Sequence, residues 1–191
     1  MAPDELQGRV EFLRRAEGLK DTLRSAYTRE GRVESVADHT WRLCLFAITF
    51  ADLMPEVDVL KLLKMCLLHD LGEVVDGDIP APEQVNRPSK SDKERRDFES
   101  VIESLPEMLR TEFLILWDDY EYVRTDEAIA AKAIDKLETI LQHNQGDNPR
   151  DFDYRFNLDY GRRHTDKLPI ARTLRDLFDA ETENNARKYQ D

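Results

Sequence analysis

Apolar residues recur every three to four positions along most of this chain, the spacing that gathers them on one face of an α-helix. From Asp4 to about Arg24 they fall at Val10, Leu13, Ala16, Leu19 and Leu23, predicting a first helix that ends where TREGRVES interrupts the pattern. Ser35 then stands as N-cap to SVADHTWRLCLFAITFADLM, a second helix whose inward stripe holds Val36, His39, Leu43, Ala47 and Phe50. Past Pro55, VDVLKLLKMCLLHD predicts a third helix, with Leu62, Met65, Cys66 and His69 on one side and Lys61 and Lys64 toward water. Gly72 marks its stop.

Residues 73 to 90 include Pro80, Pro82 and Pro88 and read as a long loop, a feature that in compact domains is often functional. Ser91 and Glu94 then have capping-box spacing at the head of SDKERRDFESVIESL. PEMLRTEFLILWDDYEY and TDEAIAAKAIDKLETILQHN predict two further helices, the second capped by Thr125 and running to near Asn144. A looser stretch through Gly146, Pro149 and Gly161 leads into LPIARTLRDLFDAETENNARKY, an amphipathic closing helix. No β-rich run, repeat or low-complexity segment breaks this series, so the expected fold is all-α, with residues 1–191 forming a single domain.

Composition narrows the function. A chain of 191 residues suits one core, and 40% hydrophobic with 36% charged residues marks a folded chain. The net charge of −12 argues against a nucleic-acid polymer as partner, because such binding rests on many Lys and Arg contacts to phosphates. A small anion remains open where positive charge is local. No apolar run approaches the length of a membrane span, and MAPDELQGRV lacks the basic-then-apolar layout of a signal peptide, so no membrane partner and a cytoplasmic location are expected. Cys44 and Cys66 sit within helical patterns as small hydrophobes, with no disulfide framework.

Four residues in this frame carry metal-ligand chemistry. His39 and His69 both lie on inward stripes; a single inward histidine is ordinarily a hydrogen-bonded core residue, but two invite a shared purpose. Asp70 falls at a helix end, where the dipole is negative and a carboxylate needs a positive neighbour. Asp135 interrupts the apolar run AIAAKAIDKL, where a charge is costly unless paired or coordinated. Two imidazoles and two carboxylates make a mixed set suited to Mn, Co, Zn, Fe or Ni, and an octahedral ion would keep positions for water and a substrate oxygen. The same spacing equally allows two core histidines and two carboxylates paired with Arg or Lys.

His39, then His69-Asp70, then Asp135 resembles the H…HD…D signature of HD-domain metal-dependent phosphohydrolases. ESVADH, HDLGEVVDGDIP, KERRDFES, LWDDYEY and AIDKLETILQ together resemble the branch holding bacterial 5'-deoxynucleotidases and their eukaryotic HD-domain relatives. The likeness spans roughly residues 10 to 145 and leaves about 146–191 as a C-terminal helical extension. It implies an HD-domain helical bundle, commonly a homodimer, with one divalent metal ion held by His39, His69, Asp70 and Asp135. Glu73 is implied to orient or activate the attacking water. Asp78 is implied to bind the nucleotide or handle the leaving-group proton, and Arg24, fifteen positions before His39, to contact the phosphate. Members often carry an aromatic residue directly after that arginine, whereas this chain has Ser25, with Tyr27 two residues on; Arg29 and Arg32 add charge nearby.

The implied reaction is release of phosphate from nucleoside 5'-monophosphates, 2'-deoxynucleotides foremost. The alternatives are an HD-type phosphodiesterase or alarmone hydrolase, and a nucleotide-binding sensor without turnover. No histidine lies between His69 and Asp135, which disfavours a two-metal centre, and a pure sensor would need neither Glu73 nor Asp78. Trp41 and Trp117 read as core or interface packing, and His143 and His164 lie outside the signature and are not expected to be ligands.

Overall fold

A computed structural model describes residues 3–79 and 90–188. The first helix, α1 (Pro3–Ala16), is shorter than its periodicity predicts. A 3-10 turn over Glu17–Lys20 follows, and the amide and hydroxyl of Thr22 both donate to the Gly18 carbonyl, closing the turn. Leu23 then belongs to a strand and, with Val10 and Leu13, faces solvent, so of the predicted stripe Leu19 is buried in the core and Ala16 packs against it.

The strands β1 (Leu23–Tyr27) and β2 (Val33–Ser35) pair antiparallel, Leu23 opposite Ser35 and Tyr27 opposite Val33, with an irregular register between. This hairpin corrects the expectation of a chain without strands. Its turn is closed by the Thr28 amide donating to the Arg32 carbonyl at 2.7 Å, with Gly31 at φ 77° supplying the left-handed step. Two strands alone are marginal in water, so the hairpin depends on what it lies against. The Asp147 amide donates to the Thr28 carbonyl, the Gln142 side chain donates to the Tyr27 carbonyl, and the backbone of Gly146 comes so close that an added Cβ would stand 2.2 Å from the Tyr27 oxygen.

Helix α2 (Val36–Thr49) starts as the sequence predicts. The Ser35 hydroxyl accepts from the Asp38 amide, and the Asp38 carboxylate accepts from the Ser35 amide, a reciprocal cap that fixes the turn just before His39. Asp58 caps α3 (Val59–Leu68), whose buried side carries Leu62, Met65 and Cys66 as expected. Lys61 and Lys64 are not simply solvated: they pair with Asp119 and Glu127, and with Glu112. After the turn at 69–72 comes α4 (Glu73–Asp76), a single helical turn where a loop was expected. The prolines 80, 82 and 88 lie outside the described residues. In α5 (Lys90–Val101) Ser91 is already inside the helix and does not cap it.

α6 (Glu107–Tyr122) packs Trp117 against Phe98 of α5 at 5.8 Å between ring centres. Thr125 caps α7 (Asp126–Gln145) by accepting from the Ala128 amide. This helix is the axis of the molecule: α2, α3, α6 and the hairpin all touch it. Its alanines at 128, 130, 131 and 133 are buried and let its neighbours come close. The looser stretch holds two single turns, α8 (Phe156–Asp159) and α9 (Arg162–Thr165), before α10 (Pro169–Lys188) returns along α7. Arg175 of α10 is 1% exposed and donates to the carbonyls of Asn157, Leu158 and Tyr160 while pairing with Asp179, which ties this end to the bundle. Cys66 is buried and Cys44 half-buried, both free thiols. Trp41 is 65% exposed on α2, so core packing is not its role. Among the described residues no helix is long and apolar enough to cross a membrane.

Candidate metal centre

The capped start of α2, the end of α3 and the middle of α7 bring His39, His69, Asp70 and Asp135 to one point. His39 Nε2 lies 3.3 Å from Asp135 Oδ1 and 3.9 Å from Asp70 Oδ2, and His69 Nε2 lies 3.0 Å from Asp70 Oδ2. The two imidazole rings stand 6.0 Å apart. Donor atoms of His39, His69 and Asp70 all lie within 4.8 Å of one another, and Asp135 stands beside this trio with Oδ1 3.3 Å from His39 Nε2.

Each histidine is held so that its Nε2 faces this point. His69 Nδ1 sits 2.9 Å from the Cys66 carbonyl, which can only accept, so that nitrogen carries the proton. His39 Nδ1 makes a short contact with a carboxylate oxygen of Glu138. Both Nε2 atoms are fully buried, and neither makes a well-aligned hydrogen bond; each faces a carboxylate oxygen, at 3.3 Å for His39 and 3.0 Å for His69. Two buried imidazole nitrogens aimed at two carboxylates, without well-aligned hydrogen bonds between them, form a donor set that fits a divalent metal ion better than a hydrogen-bonded core.

The charged groups around this set act on one another. Burial pushes the Asp70 carboxyl up, but His69 and His39 more than offset it and hold it at about 2. Asp135 is likewise buried yet held well below the usual carboxylate range by the Lys136 ammonium 2.9 Å away and by the two histidines. Its Oδ2 also accepts from the Tyr120 hydroxyl at 3.0 Å. Burial and Arg24 push His39 down, but Glu138 and Asp135 carry it up to about 9. Glu73 behaves in the opposite way to Asp70 and Asp135: burial, then the charges of Asp70 and Asp78, push it up to about 10.

Arg24 projects from β1, not from a helix, which places a guanidinium beside the cluster. It pairs with Glu34 at 3.4 Å and donates to the Thr139 hydroxyl, and the charges of Glu138, Asp70 and Asp78 act on it. Asp78 lies between α4 and the undescribed residues and shares the field of Glu73 and Arg24. Ser25, next along β1, is exposed. Arg32 is turned to Asp38 at 2.7 Å on the surface. His143 bonds to Asn157 in the core, and His164 is held down to about 4 by burial and by Lys132 and Lys136; neither joins the donor set.

Glu138, Tyr120, Lys136 and Arg42 are the members of this site that the sequence reading passes over. Glu138 is 0% exposed, its second oxygen 2.6 Å from Arg42 Nε. A signal was present: Glu138 follows Asp135 by three residues in the same apolar helix, so it shares that face and incurs the same burial cost.

A helical bundle carrying one short hairpin, with a two-histidine, two-carboxylate centre and an arginine beside it, defines a class of metal-binding helical domain. The chain belongs to the HD domain family, whose model matches residues 16–175. It is 32% identical over 138 residues to the human protein named 5'-deoxynucleotidase HDDC2, a match covering 71% of this chain and 67% of that protein. The fission yeast 5'-deoxynucleotidase hdd1 is 32% identical over 142 residues, 70% of this chain and 69% of its own length. The matched stretch thus spans about two thirds of these relatives. A crystal structure from Magnetospirillum magnetotacticum described as a predicted metal-dependent phosphohydrolase superposes with a TM-score of 0.76 at 24% identity, covering 97% of this chain and 98% of that one. A conserved hypothetical protein from Pyrococcus furiosus gives a TM-score of 0.61 at 26% identity, over 90% and 98%.

Proposed function

We propose that this chain hydrolyses nucleoside 5'-monophosphates, 2'-deoxynucleotides foremost, to nucleoside and phosphate, using one divalent metal ion held by His39, His69, Asp70 and Asp135. The observation that carries this reading is the pair of buried Nε2 atoms facing two carboxylates, with Arg24 alongside. The 5'-deoxynucleotidase names of its relatives supply the substrate class.

When bound, the ion supplies Lewis-acid charge stabilisation and makes water more acidic. The remaining work falls to this chain's own side chains. Arg24 offers a planar fork to the phosphoryl oxygens and is held in place by Glu34 and Thr139. Glu73 is placed to take the proton of the attacking water; burial and the charges of Asp70 and Asp78 raise its proton affinity in the metal-free chain, and a divalent cation bound beside Asp70 would offset that repulsion and favour the ionised form a base needs. Asp78, within the same field, serves the sugar end of the substrate and the proton of the departing 5'-oxygen. Mn, Co, Zn, Fe and Ni all suit the donor set. We extend the proposal to a cytoplasmic homodimer: α2 leaves Trp41, Leu45 and Ile48 exposed a turn apart, an apolar row suited to a second copy.

The test is phosphate release from a panel of deoxyribo- and ribonucleoside 5'-monophosphates by metal-stripped protein resupplied with Mn, Co, Zn or Mg. Release that needs the metal, favours the deoxy series and collapses in Glu73→Ala supports the reading. Metal bound without release from any monophosphate overturns it.

A further inference from the structure

Glu138 reaches across from α7 to α2, and its two oxygens have different partners. One contacts His39 Nδ1, the other accepts from Arg42 Nε at 2.6 Å. The pairing repeats one helical turn along both elements: His39 and Arg42 are three apart on α2, Asp135 and Glu138 three apart on α7. His39 meets both acids, Asp135 through Nε2 at 3.3 Å and Glu138 through Nδ1. His39 and Glu138 are both 0% exposed, so bulk solvent does not reach these atoms.

We propose that Glu138 is a positioning residue that commits His39 to bind metal through Nε2, and that Arg42 holds Glu138 to that task. This rests on the metal reading given above. An ionised carboxylate can only accept, so Nδ1 of a neutral His39 must carry the proton and Nε2 must keep its lone pair. Arg42 matters because its guanidinium can only donate. It occupies one oxygen, counters the charge that burial would otherwise penalise, and leaves the other oxygen aimed at the imidazole.

The roles make an unusual prediction for Glu138→Gln. A side-chain amide has one acceptor and one donor end, yet here both neighbours donate. Arg42 cannot change, so it takes the amide oxygen, and the NH₂ group turns to His39 Nδ1. The imidazole must then accept there and move its proton to Nε2, the nitrogen that faces the metal. In the double variant Glu138→Gln/Arg42→Met nothing claims the amide oxygen, which is free to accept from Nδ1 and restore the ligating tautomer.

The experiment is chelator-competition measurement of Mn²⁺ affinity for the wild-type chain, Glu138→Gln and the double variant, with far-UV circular dichroism to confirm the fold. Glu138→Gln is expected to bind Mn²⁺ about 10- to 100-fold more weakly, and the double variant to regain part of that loss. A structural role alone would make two substitutions worse than one. Unchanged affinity in Glu138→Gln, or a double variant weaker than the single, overturns the proposal while leaving the metal reading intact; a wild-type chain that binds no metal overturns both. Nitrogen chemical shifts of the zinc-loaded wild-type chain give a readout free of any folding defect: His39 protonated at Nδ1 is expected, and ligation through Nδ1 overturns the assignment.

Discussion

Glu73 and Asp135 show how one helical bundle sets two carboxyls to different tasks. Asp135 is buried beside Lys136, His39 and Tyr120 and stays ionised, whereas Glu73 is half-buried near other carboxylates, which favour its protonated form in the metal-free chain. Glu73→Gln removes the proton acceptor and leaves the four donor residues in place, so metal binding should persist while kcat falls about 10²- to 10⁴-fold; equal loss of metal would show a ligand role instead. At this scale the sequence was informative where a residue violated its surroundings. Asp135 stood out in an apolar run, and His39 and His69 stood out on inward stripes. Tyr120 and Lys136 did not, because a tyrosine at a helix's inner edge and a lysine beside an aspartate are ordinary until the fold brings them to one carboxylate.

Elements with a cap and a clean period were legible: Ser35 opens α2, and Thr125 opens α7. The hairpin was not, since Leu23 continued the helical spacing of α1 and β1 alternates weakly, with only Ala26 fully buried. What makes those residues a strand lies outside them, in the carbonyl of Tyr27 meeting Gln142 and the guanidinium of Arg24 meeting Thr139. The cap of α2 has a functional consequence, because His39 lies one turn inside it. Ser35→Ala should cost about 0.5–2 kcal/mol in urea unfolding, and a cost near zero would show that the packing of α2 alone sets its start. Gly161 is a second structural test. It sits at φ 72°, and an added Cβ would stand 2.6 Å from Lys136 Cβ, so Gly161→Ala should lower the melting temperature, whereas an unchanged value would show that α9 shifts freely.

For the whole molecule, the centre links metal, protons and stability. In the metal-free chain Asp70 and Glu138 are held down to about 2, so their contribution is present above an unfolded value near 4 and is lost as pH falls toward 2. His39 is raised from 6.5 to about 9; its contribution is present below 6.5 and is lost as pH rises through 9. Glu73, raised from 4.5 to about 10, adds to the same loss, since the folded chain holds its proton and the unfolded chain does not. The metal-free chain should therefore melt at a lower temperature at pH 9 than at pH 6. A divalent ion replaces those protons, so its addition should raise the melting temperature more at pH 9 than at pH 6. A metal-free chain equally stable at both values would contradict this charge arrangement.

The most direct measurement follows metal occupancy and phosphate release together. Metal-stripped chain is titrated with Mn²⁺ while bound metal and phosphate release from a deoxynucleoside 5'-monophosphate are read in the same samples, with Asp135→Asn alongside. The account predicts release that is absent in the stripped chain, rises in proportion to bound metal, and is lost with metal affinity in Asp135→Asn. Release that continues without bound metal, or full occupancy with none, would contradict it.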